Sequence, residues 1–506
     1  MPDLGAIACG HPVTAAAAEE ILLEGGTAFD AVIAAQFAAC VCEPVLCSLG
    51  GGGFLLAHRR GDSPVVYDFF AQTPGRRRRD DHLDFFPIHA DFGTTTQEFH
   101  IGVGSAATPG STRGMFEIHR DLGTLPMERL LAPAIVAARD GVMVNELQAS
   151  IFEIVRPIYR ATPEAKDTYA DIEEGTLLKQ PALASTLESL ARSGPELFYE
   201  GEIAAAIADL CGKGGHLGRE DLRDYRVIKR RPITLDYRGT TIMTNPPPSS
   251  GGLLIGFALK LLDAARIAMF GTPEHVAMLA EVMHCTNQAR VDVLARTNAA
   301  HELDPGLLDR YRKRILDAPC FHRGTTHISV VDAEGNVAAM TLSNGEGCGS
   351  MIPGTGIMLN NMLGEEDINP AGFGAWAVDT RMTSMMAPTL IEQGTDRRLA
   401  LGSGGSNRIR TAILQVISNL LDFGDDLAAA VHRPRLHFER EVLSVENDLP
   451  AAGIAALEAQ VGELHQWPGR NLFFGGVHVV EQDGERLSAA GDPRRGGVGK
   501  VVTTAA

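Results

Sequence analysis

The 506-residue sequence lacks any run long and apolar enough to span a membrane: its richest stretch, Ala31 to Leu49, is broken by Gln36, Glu43 and Pro44. It also lacks positive charge in excess. A formal net charge of −18, with no long Lys/Arg face, opposes phosphate-rich partners, so nucleic-acid binding is not expected. The opening MPDLGAIACGHPVTAAAAEE has no basic n-region and no sustained apolar h-region, and the expected location is cytoplasmic, with no membrane association. The eight cysteines are scattered, without CxxC pairs of metal-site spacing. Cys40, Cys42 and Cys47 sit in an Ala/Val-rich run where cysteine behaves as a small hydrophobe, so buried reduced thiols are expected and a metal site is not. Internal repeats and low-complexity linkers are missing too.

What the sequence does have is apolar bulk, 45% of its residues, enough for a large core. Thr14 is placed to cap an Ala-rich helix ending at Gly25-Gly26, and Thr27 with Asp30 forms a capping box for the next. That second helix, AFDAVIAAQFAACV, is apolar nearly all round and belongs inside a layered fold. Between about Pro109 and Gly271, segments such as MERLLAPAIVAARDG, PALASTLESLARSG and EIAAAIADLCGKGG predict a mainly helical middle. Residues 326 to 343 predict a hairpin turning at Asp332 to Asn336, and further β signal lies at LALGSGGS and GGVHVVEQDGERLSAA. Helix layers around packed antiparallel sheets suit this pattern. The charge run GRRRRDD at 75–81 reads as a solvated loop.

The chemistry-bearing residues fall in glycine and hydroxyl clusters. Gly324-Thr325-Thr326-His327 runs directly into the hairpin; by itself a threonine pair at a strand start reflects only β-propensity. The chain also carries four glycines at 50–53, Pro246-Pro247-Pro248-Ser249-Ser250-Gly251-Gly252, Thr383-Ser384, and Gly402-Ser403-Gly404-Gly405-Ser406. Glycine runs usually mark tight turns and the proline run a rigid loop, while the Gly50 run has neither the lysine nor the helix start of a phosphate loop.

Together these motifs resemble the gamma-glutamyltransferase family over nearly the whole chain. HPVTAAAAEEILLEGGTAFDAVIAAQFAACVCEPVLCSLGGGGF is similar to the family's opening, NPPPSSGG to its proline loop and TTHISVVDAEGN to its processing site, and RMTSMMAPTL, LGSGGSNRI and AAGDPRRGG follow in the family's order. The resemblance implies an α+β fold, the four-layer αββα sandwich of N-terminal-nucleophile hydrolases with a mainly helical middle region. It implies a self-cleaving precursor cut between Gly324 and Thr325, giving a large subunit, 1–324, and a small subunit, 325–506, that stay associated as one domain.

Thr325 is then the catalytic nucleophile. An internal threonine hydroxyl needs a base beside it, whereas an N-terminal threonine carries its own. An α-amine of pKa about 7.7 to 8.0 leaves on the order of a tenth free at neutral pH to take the hydroxyl proton. Gly324 is expected to adopt an unusual backbone conformation that lets the hydroxyl reach its carbonyl. By the same resemblance Ser343 steadies the nucleophile, Gly404 and Gly405 supply oxyanion-hole N–H groups, and Thr383 and Ser384 bind a substrate α-carboxylate. No organic cofactor and no metal is called for. The implied partners are a small-molecule amide or peptide substrate and the two subunits, with a homo-oligomer left open.

The sequence departs from the family where glutamyl recognition resides. The arginine that pairs with the substrate α-carboxylate is replaced by Phe70, and a phenyl ring forms no bidentate clamp, so an arginine from Arg76 to Arg79 would have to swing in. Gly345 replaces an asparagine and Met362 a glutamine, and the acid for the substrate amine falls to Glu365 or Glu366. The readings are a gamma-glutamyltransferase-like amidohydrolase or acyltransferase, on glutathione or other gamma-glutamyl amides; an acylase for another amide, glutaryl-type or similar; or a processed, idle binding homologue.

Overall fold

The β-rich runs of the sequence pair into two fully antiparallel sheets in the computed structural model, which describes residues 3–91, 96–169, 171–296, 324–369, 372–439, 442–459 and 462–504. In chain order the strands are β1 (Asp3–Cys9), β2 (Gly52–His58), β3 (Val65–Phe69), β4 (Ile228–Arg230), β5 (Ile233–Tyr237), β6 (Thr240–Thr244), β7 (Thr326–Asp332), β8 (Val337–Ser343), β9 (Thr389–Gln393), β10 (Arg397–Gly404), β11 (Gly476–Asp483), β12 (Arg486–Ala490) and β13 (Val498–Thr503). One sheet runs β13-β1-β7-β8-β2-β3-β4 and the other β12-β11-β10-β9-β6-β5. The expected hairpin is β7 and β8, and Asn336 N–H donates to Asp332 Oδ1 at 2.9 Å across its turn.

Helices α1 (Pro12–Leu23) and α2 (Ala28–Cys42) cover the first sheet, while α3 (Gly251–Asp263) and α4 (Arg408–Leu421) pack on the second, completing the αββα order. The layers follow from strand alternation. On β7, Ile328 and Val330 join the core beneath α1 and α2, whereas Val331 joins the core between the sheets. His327 also turns to the second sheet: a Cβ on Gly402 would lie 2.3 Å from its ring. Every residue of α2 is buried, as its apolar circumference requires, and the Thr27–Asp30 capping box is present. Asp30 also accepts from the Thr124 and Leu125 N–H groups at 2.9 and 3.2 Å, so the cap doubles as an anchor between segments.

One expectation needs correction. The cap of α1 is His11, whose Nδ1 accepts from Val13 N–H at 3.1 Å; Pro12 at the first helical position starts the helix earlier, and Thr14 lies buried in its first turn. The middle is mainly helical but also contributes β4, β5 and β6, where Ile233, Leu235 and Tyr237 alternate inward with exposed neighbours. The N-terminal region supplies β1, β2 and β3, continuous apolar runs that periodicity does not separate from buried helix. Among the described residues the cysteines are free and mostly buried, as expected, with Cys285 half-buried; Cys320 lies outside those residues. Arg76, Arg77 and Arg79 are exposed, as a solvated loop requires.

Candidate active site

Thr325 stands one residue before β7, so pairing of that strand to β1 on one side and β8 on the other fixes its place. Thr325 Oγ1 donates to the Gly324 carbonyl oxygen at 2.7 Å, and Ser343 Oγ, at the end of β8, donates to the same oxygen at 2.8 Å. Gly345 N–H donates to Ser343 Oγ at 3.0 Å and orients it. Two hydroxyls therefore converge on the carbonyl of the expected scissile bond. Gly324 is needed for space rather than for torsion. It is absent from the positive-φ glycines, and a Cβ there would sit 2.7 Å from the Gly345 oxygen and 3.0 Å from that of Val45.

Gly404 ends β10 against the nucleophile: a Cβ on it would lie 2.0 Å from the Thr325 carbonyl oxygen. Gly405 follows at φ +118, a region favouring glycine, and its Cβ would meet Gly475 Cα at 3.0 Å. Gly404 packs against Thr325 and Gly405 against Gly475, and the turn they begin carries Ser406 and Asn407 into the cavity.

That cavity, about 30 Å³, brings together Thr325, Ser343, Phe70, Met362, Glu365, Thr383 and Ser384, seven positions singled out from the sequence. Glu366 is not among them and is exposed. The remaining walls include Ser250, Met385, Met386 and Ile409, which lie inside the quoted motifs, and Ile368 and Asp367, which lie outside them, Asp367 accepting from Ser406 Oγ at 2.9 Å. Thr383 Oγ1 is buried with no hydrogen-bond partner among the described residues.

Among the described residues lining the cavity there is no lysine or arginine. Phe70 is fully buried, stacked on Phe54 with ring centroids 5.4 Å apart. Arg77, Arg78 and Arg381 are engaged elsewhere. Arg78 donates to the Gly215 and Gly212 carbonyls at 2.8 and 2.9 Å, and Arg77 lies over Trp376 at 4.9 Å. Buried Arg381 donates to the Phe70 carbonyl and the Tyr225 hydroxyl, with Asp68 Oδ1 3.6 Å away. At the position of the family's asparagine, Gly345 adopts φ +63, and a Cβ there would strike Asn361 Oδ1 and Glu365 Oε1 at 2.0 and 2.1 Å. Those side chains fill the space an asparagine would use.

Buried ionisable groups lie behind the nucleophile as well. Glu43 is buried, accepting from Thr326 Oγ1 at 3.1 Å and Thr14 Oγ1 at 3.2 Å. Burial pushes its carboxyl up to about 7, with the two hydroxyls and Arg495 opposing the rise. Arg495 donates to the Thr325 carbonyl at 3.3 Å, and burial lowers its guanidinium to about 10, Arg408 adding to the fall. Its loop is tied down by Arg435 and Arg494, which contact Asp492 at 2.6 and 3.2 Å. Burial would raise Asp492, but the two guanidiniums hold it below the usual range. Glu43 and Arg495 lie inside the quoted opening and AAGDPRRGG motifs; that membership was the signal available for them.

With the geometry established, comparisons place the chain among known proteins. It is 30% identical to a glutathione hydrolase proenzyme of Pseudomonas aeruginosa, over 99% of this chain and 95% of the relative. It is 31% identical to an acylase ACY 1 proenzyme of Pseudomonas sp. strain V22, over 96% and 91%. Its fold matches the crystal structure of a cephalosporin acylase from Bacillus halodurans with a TM-score of 0.85, at 25% identity, over 99% of this chain and 96% of that one. The gamma-glutamyltranspeptidase family model matches residues 14–502, and this chain belongs to that family of N-terminal-nucleophile hydrolases and transferases.

Proposed function

We propose that this protein is a self-cleaving amide hydrolase whose acyl site takes an acyl group without the glutamyl head. The carrying observation is that the cavity at Thr325 is walled by Phe70 and methionines and, among the described residues, by no cation. A substrate carboxylate entering it would exchange water for neutral hydroxyl and amide groups, beside Glu365 and Asp367, and burying a charge without a cationic partner costs several kcal/mol. A neutral acyl chain is therefore favoured over both a gamma-glutamyl and a glutaryl group. The family membership and the acylase relative support amide chemistry.

Maturation begins as Thr325 Oγ1 attacks the Gly324 carbonyl carbon. The hydroxyl proton passes to the Thr325 nitrogen as the C–N bond breaks, leaving an ester and a free amine; water then releases Gly324 as a carboxylate. Ser343, already donating to that carbonyl oxygen, stabilises the oxyanion. Residues 1–324 and 325–506 become the two subunits. They stay together because β1 of the first is paired between β7 and β13 of the second.

In turnover the Thr325 α-amine takes the hydroxyl proton while Oγ1 attacks the substrate carbonyl; collapse expels the amine product with a proton and leaves an acyl ester on Thr325. Water, or an amine acceptor, then takes the acyl group. In this reading Gly404 and Gly405 shape the backbone around the developing oxyanion, and Thr383, Ser384 and Glu365 set the acyl pocket.

The test is intact mass and N-terminal sequencing, followed by p-nitroanilides of pentanoyl, glutaryl and gamma-glutamyl groups. A chain beginning at Thr325 and the highest kcat/KM for pentanoyl are expected. A preference for gamma-glutamyl would overturn the acyl-site reading, and a processed protein inert on all three would favour an idle binding homologue.

A further inference from the structure

The scissile dipeptide is gripped at both ends by oppositely charged, buried side chains. Glu346 Oε1 accepts from Gly324 N–H at 2.7 Å, and Arg495 Nη1 donates to the Thr325 carbonyl at 3.3 Å. Both are almost fully buried, at 2% and 5% exposure, and with Gly324 they line a second cavity that shares no wall residue with the one at Thr325. Glu346 is itself oriented, since its N–H donates to Asn361 Oδ1 at 3.0 Å. Arg495 is held by the loop that Asp492 and Arg494 pin in place. Between these grips only the Gly324 carbonyl is left to the two hydroxyls.

We propose that Glu346 and Arg495 form an ionic clamp that positions the Gly324–Thr325 peptide for its own cleavage, with Glu346 acting on maturation alone. The inference rests on the self-cleavage reading. Oγ1 must form a bond to the Gly324 carbon while the C–N bond breaks and the hydroxyl proton moves to nitrogen. That trajectory is lost if the peptide unit rotates, and a charge-assisted hydrogen bond at each end resists rotation. Once the bond is cut, Gly324 N–H is no longer joined to Thr325, so Glu346 has no hold on the nucleophile. Arg495 keeps its contact with the Thr325 carbonyl and continues to place the new N-terminus. Glu346 is thus a positioning residue for the first reaction, and Arg495 for both.

The experiment measures, for the full-length chain, the fraction beginning at Thr325 against time by intact mass. Anilide turnover per Thr325 terminus is then measured once cutting is complete. Glu346→Leu, which removes the acceptor, should slow cutting about 100-fold, and Glu346→Gln, which keeps an acceptor oxygen, about tenfold. Turnover per terminus in Glu346→Gln should stay within about threefold of the parent, whereas Arg495→Lys should lower both rates about tenfold or more. Melting of uncut Glu346→Leu is compared with uncut Thr325→Ala; if the leucine variant does not fold, the glutamine variant decides. Parental cutting rates in Glu346→Gln, or equal losses of cutting and turnover, would overturn the clamp. A parent chain never cut at Thr325 would instead overturn the self-cleavage reading.

Discussion

Ser343 Oγ reaches back 19 residues, across the β7–β8 hairpin, to donate to the Gly324 carbonyl oxygen at 2.8 Å. This bond stands where negative charge develops during cleavage. Ser343→Ala should therefore slow self-cleavage by about 10² to 10³, the usual loss for one oxyanion donor, and Ser343→Thr should restore much of it. Thr325→Ala should leave one uncut chain and Thr325→Ser a slowly cut one. Time courses by denaturing gel and intact mass read all four; normal cutting of Thr325→Ala would remove the nucleophile assignment.

Gly404 predicts a steric effect of another kind. A methyl 2.0 Å from the Thr325 carbonyl oxygen meets backbone rather than a flexible side chain, so the nucleophile itself must shift. Displacements of about 1 Å at a reacting group cost on the order of 10² in rate. Gly404→Ala should fold yet cut and turn over at least that much more slowly, with mass spectrometry and anilide assays as the readouts.

Phe70 gives a specificity prediction. Phe70→Arg should raise kcat/KM for a gamma-glutamyl anilide relative to pentanoyl by roughly tenfold or more, because a guanidinium supplies the missing carboxylate partner. It also gives up the stack on Phe54, and a stability loss of about 1–3 kcal/mol is expected in urea melts. An unchanged substrate ratio in a folded variant would place specificity elsewhere.

Glu43 ties stability to pH. Burial raises its carboxyl from an ordinary 4.5 to about 7, so the folded state favours the protonated form. Its contribution is fully present below about 4.5 and is lost as pH rises through about 7. The rise corresponds to roughly 3 kcal/mol at most. Glu43→Gln, which mimics the neutral form, should match the parent in melts near pH 4.5 and become the more stable of the two by pH 8. A constant gap between them across that range would show that Glu43 ionises normally.

By itself the sequence determined what depends on local chemistry and residue order. The Thr27–Asp30 box, the apolar circumference of α2 and the alternating hairpin after Thr325 each carry their structure in a few neighbouring residues, and the ordered motifs carried the family. Tertiary structure decided what depends on crowding and on partners distant in sequence. Thr14 yielded the cap to His11 because Pro12 starts the helix earlier. Gly324 proved necessary for space, which only the neighbouring carbonyls of Val45 and Gly345 reveal. Of Glu365 and Glu366, adjacent and chemically alike, the chain's turn sends one into the cavity and the other to solvent. Glu346 and Arg495 grip the scissile peptide from loops 149 residues apart in sequence, and no local pattern encodes such a meeting, because side-chain contact follows from how the sheets stack rather than from neighbours along the chain.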